Sequence, residues 1–215
     1  MASSNSLAVE FFLLAHDPFS DGRMIVDGQI LGCGLVGGKI VDLLLDRRLR
    51  IENGLVLVGD GPPSGDPIDE FVVEAVRGQS AAHSVRRWVE ALEEDLYQLI
   101  SDRVVSLGIL RREQGGGRFR RQQPDRYPAE NLLAASRPQQ DLQQMVRSPR
   151  DLTLRAGMLL ALLGALGLDT VVVGDGDQTR AREIIVEIEE NLPADLQVVH
   201  AAVASIAGAA ALRMR

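Results

Sequence analysis

The segment from Gln29 to Asp46 limits the fold more than any other stretch of the chain. Leu31, Leu35, Ile40, Leu43 and Leu44 recur at helical spacing, yet Gly32, Gly34, Gly37 and Gly38 fall among them. Each glycine costs about 1 kcal/mol against alanine inside a helix. A helix carrying four of them therefore predicts close backbone approach by neighbouring elements. Aromatic residues make up only 4% of the 215 positions, so the core must rest on Leu, Val, Ile and Ala. Both facts favour helices packed on helices.

The rest of the chain reads the same way. Residues 6–15 predict a short apolar helix after a Ser cap. Met24–Val26 predicts a brief strand. Asn53-Gly54, between alternating apolar residues, is a hairpin signal for 48–58. Asp66 caps a helix over 68–77 that has Pro67 at its first position and Asp69-Glu70 in its first turn. Helices are expected at 81–93, 94–107 and 129–146, and at 150–167 after a Ser148 cap with Pro149 at its first position. Val171–Val173 reads as extended, followed by a capping turn and helices at 179–191 and 194–213. The expectation is a mainly α fold of eight or nine helices with small β-hairpins, forming one compact domain over 1–215.

Several motifs are excluded by context. Gly32-Cys33-Gly34-Leu35-Val36-Gly37 fits the G-x-G-x-x-G fingerprint. It lacks the preceding strand and the βαβ unit that dinucleotide binding needs. Gly38-Lys39-Ile40 lacks the Ser/Thr hydroxyl of a phosphate loop that would ligate magnesium. Cys33 is the single cysteine, and His16, His83 and His200 are far apart in sequence, so no metal spacing is present. Asp175-Gly176-Asp177 lacks the later ligands of a calcium loop. No nucleophile–base pair is visible. The chain is expected to be non-enzymatic, with no cofactor and no metal. Trp88, on a helix face with Val85, Val89 and Leu92, reads as core. The apolar runs 156–168 and 198–212 are too short or too weakly hydrophobic to span a bilayer. No signal peptide is read at the N-terminus, so the expected location is the cytoplasm, peripheral on the inner membrane face.

One stretch stands apart in charge. Residues 111–126 hold six arginines against Glu113 and Asp125, about +4, within a chain of net charge −7. Gly115-Gly116-Gly117 between arginines predicts a hairpin with a basic tip. Arg111, Arg112, Arg118, Phe119, Arg120 and Arg121 are the candidate anionic-lipid contacts. Six arginines near an anionic leaflet set a ceiling of about 6 kcal/mol. Docking of an acidic protein partner or a second copy of the chain is the alternative. Nucleic-acid binding through a winged-helix-like hairpin is disfavoured, because the helix before it carries Glu90, Glu93, Glu94, Asp95 and Asp102, which phosphates would repel.

Taken in order, Leu13-Leu14, the run Gly34 to Leu49, Pro63 to Glu70, Trp88, Leu107-Gly108-Ile109-Leu110 and Arg126-Tyr127-Pro128 resemble the Golgi phosphoprotein 3 family. The resemblance covers essentially the whole chain and implies a compact helical fold with a β-hairpin. Eukaryotic relatives bind phosphatidylinositol 4-phosphate, insert an apolar hairpin tip into the Golgi membrane, and use an arginine-rich N-terminal tail to engage coat proteins and glycosyltransferase tails. The short N-terminus suits the bacterial members better. The headgroup positions implied by the resemblance are here Asp27, Val36, Glu94 and Tyr97, so none of the family's Trp and Arg residues is retained. The reading is a peripheral membrane protein that binds anionic lipid, a phosphoinositide by resemblance, through the arginine-rich hairpin.

Overall fold

The computed structural model describes residues 6–115, 124–149, 152–169 and 177–213. Helix α2 (Gly28–Leu45) is the hub, packing against α1 (Leu7–Leu14), α4 (Val85–Ser106), α6 (Leu154–Ala165) and α8 (Ala194–Arg213). Its glycines make this possible. A Cβ on Gly34 would lie 2.1 Å from the Phe11 ring of α1, and one on Gly37 would lie 2.8 Å from Val203 of α8. Leu31, Leu35, Ile40 and Leu43 are buried around it. The expected close approach is observed, and the burial it permits offsets the low helix propensity. Because Gly32 to Gly37 lies inside this helix, it forms no strand-to-helix loop.

Two strands follow, β1 (Leu49–Glu52) and β2 (Leu55–Val58), paired antiparallel with Glu52 opposite Leu55. Asn53 and Gly54 both have positive φ, as a two-residue hairpin turn requires. A third strand, β3 (His83–Ser84), pairs with β2 and completes a small antiparallel sheet. Helix α3 (Pro67–Arg77) begins as expected, with the Asp66 side chain accepting from the Ile68 amide.

Helices α5 (Leu132–Arg147), α6, α7 (Gln178–Glu190) and α8 complete the fold, giving eight helices among the described residues. Three expectations are corrected. The helices expected at 81–93 and 94–107 are one continuous α4, because Leu92, Leu96, Ile100 and Val104 form an unbroken buried stripe at spacing four. Helix α6 starts at Leu154 with Thr153 as its cap, the hydroxyl accepting from the Ala156 amide, and Ser148-Pro149 lies outside it. Met24 makes a single bridge to His16 in place of the strand at 24–26. Val171–Val173 falls outside the described residues. Trp88 is buried in the core as expected. Among the described residues one helix, α2, is long and apolar enough to cross a membrane, with mean hydropathy 1.4. It is 72% buried at the centre of the fold.

Candidate functional site

The arginine-rich stretch emerges from α4 as a hairpin base. The Glu113 and Arg126 backbones exchange hydrogen bonds of 2.9 Å each way, and the Arg111 amide donates to the Pro128 carbonyl. Leu110 bridges Ala129 in the same register. Tyr127 roots the returning strand in the core. Its ring meets Phe12 and His16 edge-on, each at 5.1 Å, and Arg112 lies over its face at 5.6 Å. Gly22 closes the other side: its carbonyl accepts from the Tyr127 amide, and its α-carbon sits so close to Pro128 that a Cβ would clash with backbone.

The arginines of this base are already engaged. Arg111 bonds Glu113 at 2.7 Å. Arg112 donates to Asp102 at 2.7 Å, to Ser101 and to the Tyr127 hydroxyl. Burial works against its charge, but the Tyr127 and Asp102 contacts outweigh it and raise its pKa. Arg126 and Arg23 share one carboxylate oxygen of Asp21, at 2.7 and 2.8 Å. The Asp125 side chain accepts from the Gly115 amide. Arg118, Phe119, Arg120 and Arg121 lie outside the described residues. Of the six candidate contacts, the structure thus places Arg111 and Arg112 at the hairpin base, each neutralised by a local acid.

A second set of charges lies deeper. Lys39 is 3% exposed, and its Nζ donates to Asp69 at 2.7 Å and lies 3.7 Å from Asp42. Asp42 also receives Arg155 Nη2 at 2.6 Å, the Ser6 hydroxyl at 2.7 Å and the Leu7 amide at 3.0 Å. Its carboxylate therefore sits at the N-terminus of α1, where negative charge is favoured. Burial pushes the Asp42 pKa up, with Lys39 and Arg155 pulling the other way. Arg48 forks onto Glu70, and Arg103 forks onto Asp66. Burial raises the Asp66 pKa, but the Arg103 fork wins and holds it below the usual carboxylate range. These pairs tie α2, α3, α4, α6 and the start of α1 into one framework. Every carboxylate in it has a cation, so it is a structural network.

No group of three or more His, Cys, Asp or Glu could hold a metal among the described residues. Burial, with Glu93 adding, pushes the Cys33 thiol up to about 12, so it is chemically inert at neutral pH. His16 is buried, its Nδ1 hydrogen-bonded to the Phe12 carbonyl at 2.7 Å, and burial lowers its pKa to about 4.

Lys39, Asp42, Arg48, Asp66, Asp69 and Glu70 thus mark out a fold by its internal salt bridges. A model of the family described as Golgi phosphoprotein 3 (GPP34) matches residues 7–210. The chain belongs to this family. No curated protein matches significantly. The mainly α fold with a β-hairpin expected from the resemblance is observed, the hairpin being extended by β3 into a small antiparallel sheet.

The four headgroup positions implied by the resemblance can now be located. Asp27 caps α2 by accepting from the Gln29 amide. Val36 is fully buried. Glu94 is exposed on α4. Tyr97 is half-buried, its hydroxyl 3.4 Å from that of Tyr127. Two acids, a buried aliphatic and a phenol make no phosphate cradle. Sequence reasoning missed the ion pairs that occupy the hairpin base, because Asp21 and Arg126 are 105 residues apart. It also missed a cavity beside that base, for which no local motif exists.

Proposed function

We propose that this Golgi phosphoprotein 3 family member is a non-enzymatic peripheral protein that binds anionic lipid through its arginine-rich hairpin, on the inner face of a membrane. The observation that carries the reading is the pairing of Arg111 with Glu113 inside the stretch and of Arg112 with Asp102 of α4, while Arg126 shares the single Asp21 carboxylate with Arg23. Asp125, the nearest acid to the tip in sequence, is held by the Gly115 amide. Apart from the one charge left over at Asp21, the surplus of the stretch then falls to Arg118, Arg120 and Arg121, next to Phe119 in sequence. Three arginines at about 1 kcal/mol each and a buried Phe at roughly 1.5–3 kcal/mol give about 4.5–6 kcal/mol. That corresponds to a Kd of roughly 40 µM to 0.5 mM, strongly dependent on salt. It is weaker than six free arginines would give. With Asp27, Val36, Glu94 and Tyr97 at the family's headgroup positions, the recognition is of negative charge and not of one phosphoinositide.

Sedimentation with phosphatidylserine-containing vesicles at low and high salt tests this. Binding at low salt that falls at high salt, and is lost in an Arg118/Arg120/Arg121→Glu variant, is expected. Equal retention of wild type and variant sinks it. Loss of an oligomer or partner complex in the same variant, without lipid retention by the wild type, establishes protein docking instead.

A further inference from the structure

The last carbonyls of a helix need partners from beyond it. At the end of α1 the Ala15 amide donates to Phe11 and the His16 amide to Leu13, while the Phe12 carbonyl accepts from His16 Nδ1 at 2.7 Å. A carbonyl only accepts, so this contact places the imidazole proton on Nδ1 and leaves Nε2 as a bare acceptor. Phe12 lies against the ring at 4.4 Å between centroids, and Tyr127 meets it edge-on at 5.1 Å, so its setting is held. Burial lowers its pKa to about 4 and keeps it neutral at physiological pH. His16 is 2% exposed, and its Nε2 has no hydrogen-bond partner among the described residues. A buried polar atom in that position calls for an explanation, because such atoms are satisfied as a rule in folded chains.

Nδ1 points back into α1, so Nε2, across the ring, points away from that helix. His16 lines a cavity of about 200 Å³ between the end of α1, the loop that follows it and α5. Leu13, Leu14, Ile25 and Ala135 give it apolar walls. Phe19 and Ile25, 68% and 44% exposed, stand at its outer side. The size suits one aromatic ring, since benzene enters apolar cavities of about 150 Å³. Charge narrows the choice further. Asp17 is in the wall, its carboxylate accepting from the Phe19 amide at 2.9 Å, and neither lysine nor arginine is among the described lining residues. An anion there meets a carboxylate and an imidazole lone pair with no cation to offset them. The occupant that fits is a donor on an apolar body.

We infer that this cavity binds a small aromatic molecule bearing one O–H or N–H donor, held by a hydrogen bond to His16 Nε2 with its ring among Leu13, Leu14 and Ala135. The site is separate from the arginine-rich hairpin and does not depend on the lipid-binding reading. A ligand of the same shape without a donor leaves the buried nitrogen unpaired, and a site built around a hydrogen bond discriminates against such analogues.

Phenol and toluene, alike in shape, are the probes, titrated into the isotope-labelled full chain and followed by NMR of the imidazole nitrogens and the methyl groups. Saturable phenol binding is expected, with the His16 Nε2 resonance moving upfield and cross-relaxation from the phenol ring to the Leu13, Leu14 and Ile25 methyls. Toluene should leave that resonance in place. In a His16→Phe variant, which also assigns the signal by its loss, phenol should lose about tenfold in affinity relative to toluene. If this variant fails to fold, the wild-type shift and methyl contacts decide alone. Phenol binding that leaves the His16 resonance unmoved, or the absence of saturable contact with those methyls, overturns the site. An unchanged ratio of phenol to toluene affinity in a folded His16→Phe variant overturns the role given to Nε2.

Discussion

Lys39→Met probes whether the buried charges hold the fold together or wait for a ligand. Lys39 is 3% exposed, and the Asp69 side chain 2.7 Å away is 11% exposed. Asp42 keeps Arg155, Ser6 and the Leu7 amide when the lysine is removed. Asp69 loses its short ion pair and stays largely buried. Breaking a buried pair from one side costs about 3–5 kcal/mol, a large part of the 5–15 kcal/mol typical of a domain. A Lys39→Met/Asp69→Leu double variant removes both charges and fills much of their volume, which is usually close to neutral. The expected coupling is therefore about 2–4 kcal/mol, read from urea unfolding followed by far-ultraviolet circular dichroism and Trp88 fluorescence. Vesicle binding by the double variant should match wild type. A single variant within about 1 kcal/mol of wild type, or a double variant as unstable as the two singles added together, refutes the framework. Lys39 would then be a candidate ligand contact.

Gly34→Ala gains about 1 kcal/mol in helix propensity but drives a methyl against the fully packed Phe11 ring. A net loss of about 1–3 kcal/mol is expected, whereas Gly208→Ala, which meets nothing within 4 Å, should stabilise by about 0.5–1 kcal/mol. Chemical denaturation of both variants checks the contrast in sign. Burial lifts Glu10 from 4.5 to about 7, against the pull of Arg155. Across that window the folded chain keeps a proton that the unfolded chain has lost, so stability falls as pH rises through it and the penalty is complete above it. Glu10→Gln should therefore raise Tm in mildly alkaline buffer, by a gain of at most about 3 kcal/mol, and leave it nearly unchanged at acid pH. An equal shift at both pH values would show that the charge is not the cause.

What could be read from the sequence was local. Asp66-Pro67 announces its helix because the cap and the first-turn geometry are contained within a few residues, and Asn53-Gly54 announces its turn because both residues tolerate positive φ. The α2 glycines announced close packing but not the partners, since Phe11 and Val203 arrive from distant parts of the chain. Ser148-Pro149 carries the same local signal as a true helix start, yet Thr153 caps α6. Local chemistry was equal there, and tertiary packing chose. The candidate site suffered most. The sequence counts six arginines, but only the fold brings Asp102 and Asp21 to Arg112 and Arg126. The same folding leaves Phe19 and Leu133 in water.

This division bears on what family membership implies. Six of the charged residues by which the chain resembles the Golgi phosphoprotein 3 family, Lys39, Asp42, Arg48, Asp66, Asp69 and Glu70, are held in ion pairs within the fold, Asp66 with Arg103 of α4. Removing Lys39 leaves the largely buried Asp69 without its short ion pair, so this pairing serves the fold whatever lies on the surface. The headgroup positions carry no such constraint. Asp27 needs only an acceptor to cap α2, Val36 only an aliphatic to fill the core, and Glu94 only water. A phosphate cradle can therefore be lost without cost to folding, and a match to the family reports the frame before it reports the ligand. On the proposed reading, lipid binding would therefore draw on a surface the frame leaves free, the arginine-rich hairpin, and a charge-reversed hairpin that keeps its fold but loses vesicle binding is the expected sign of that separation.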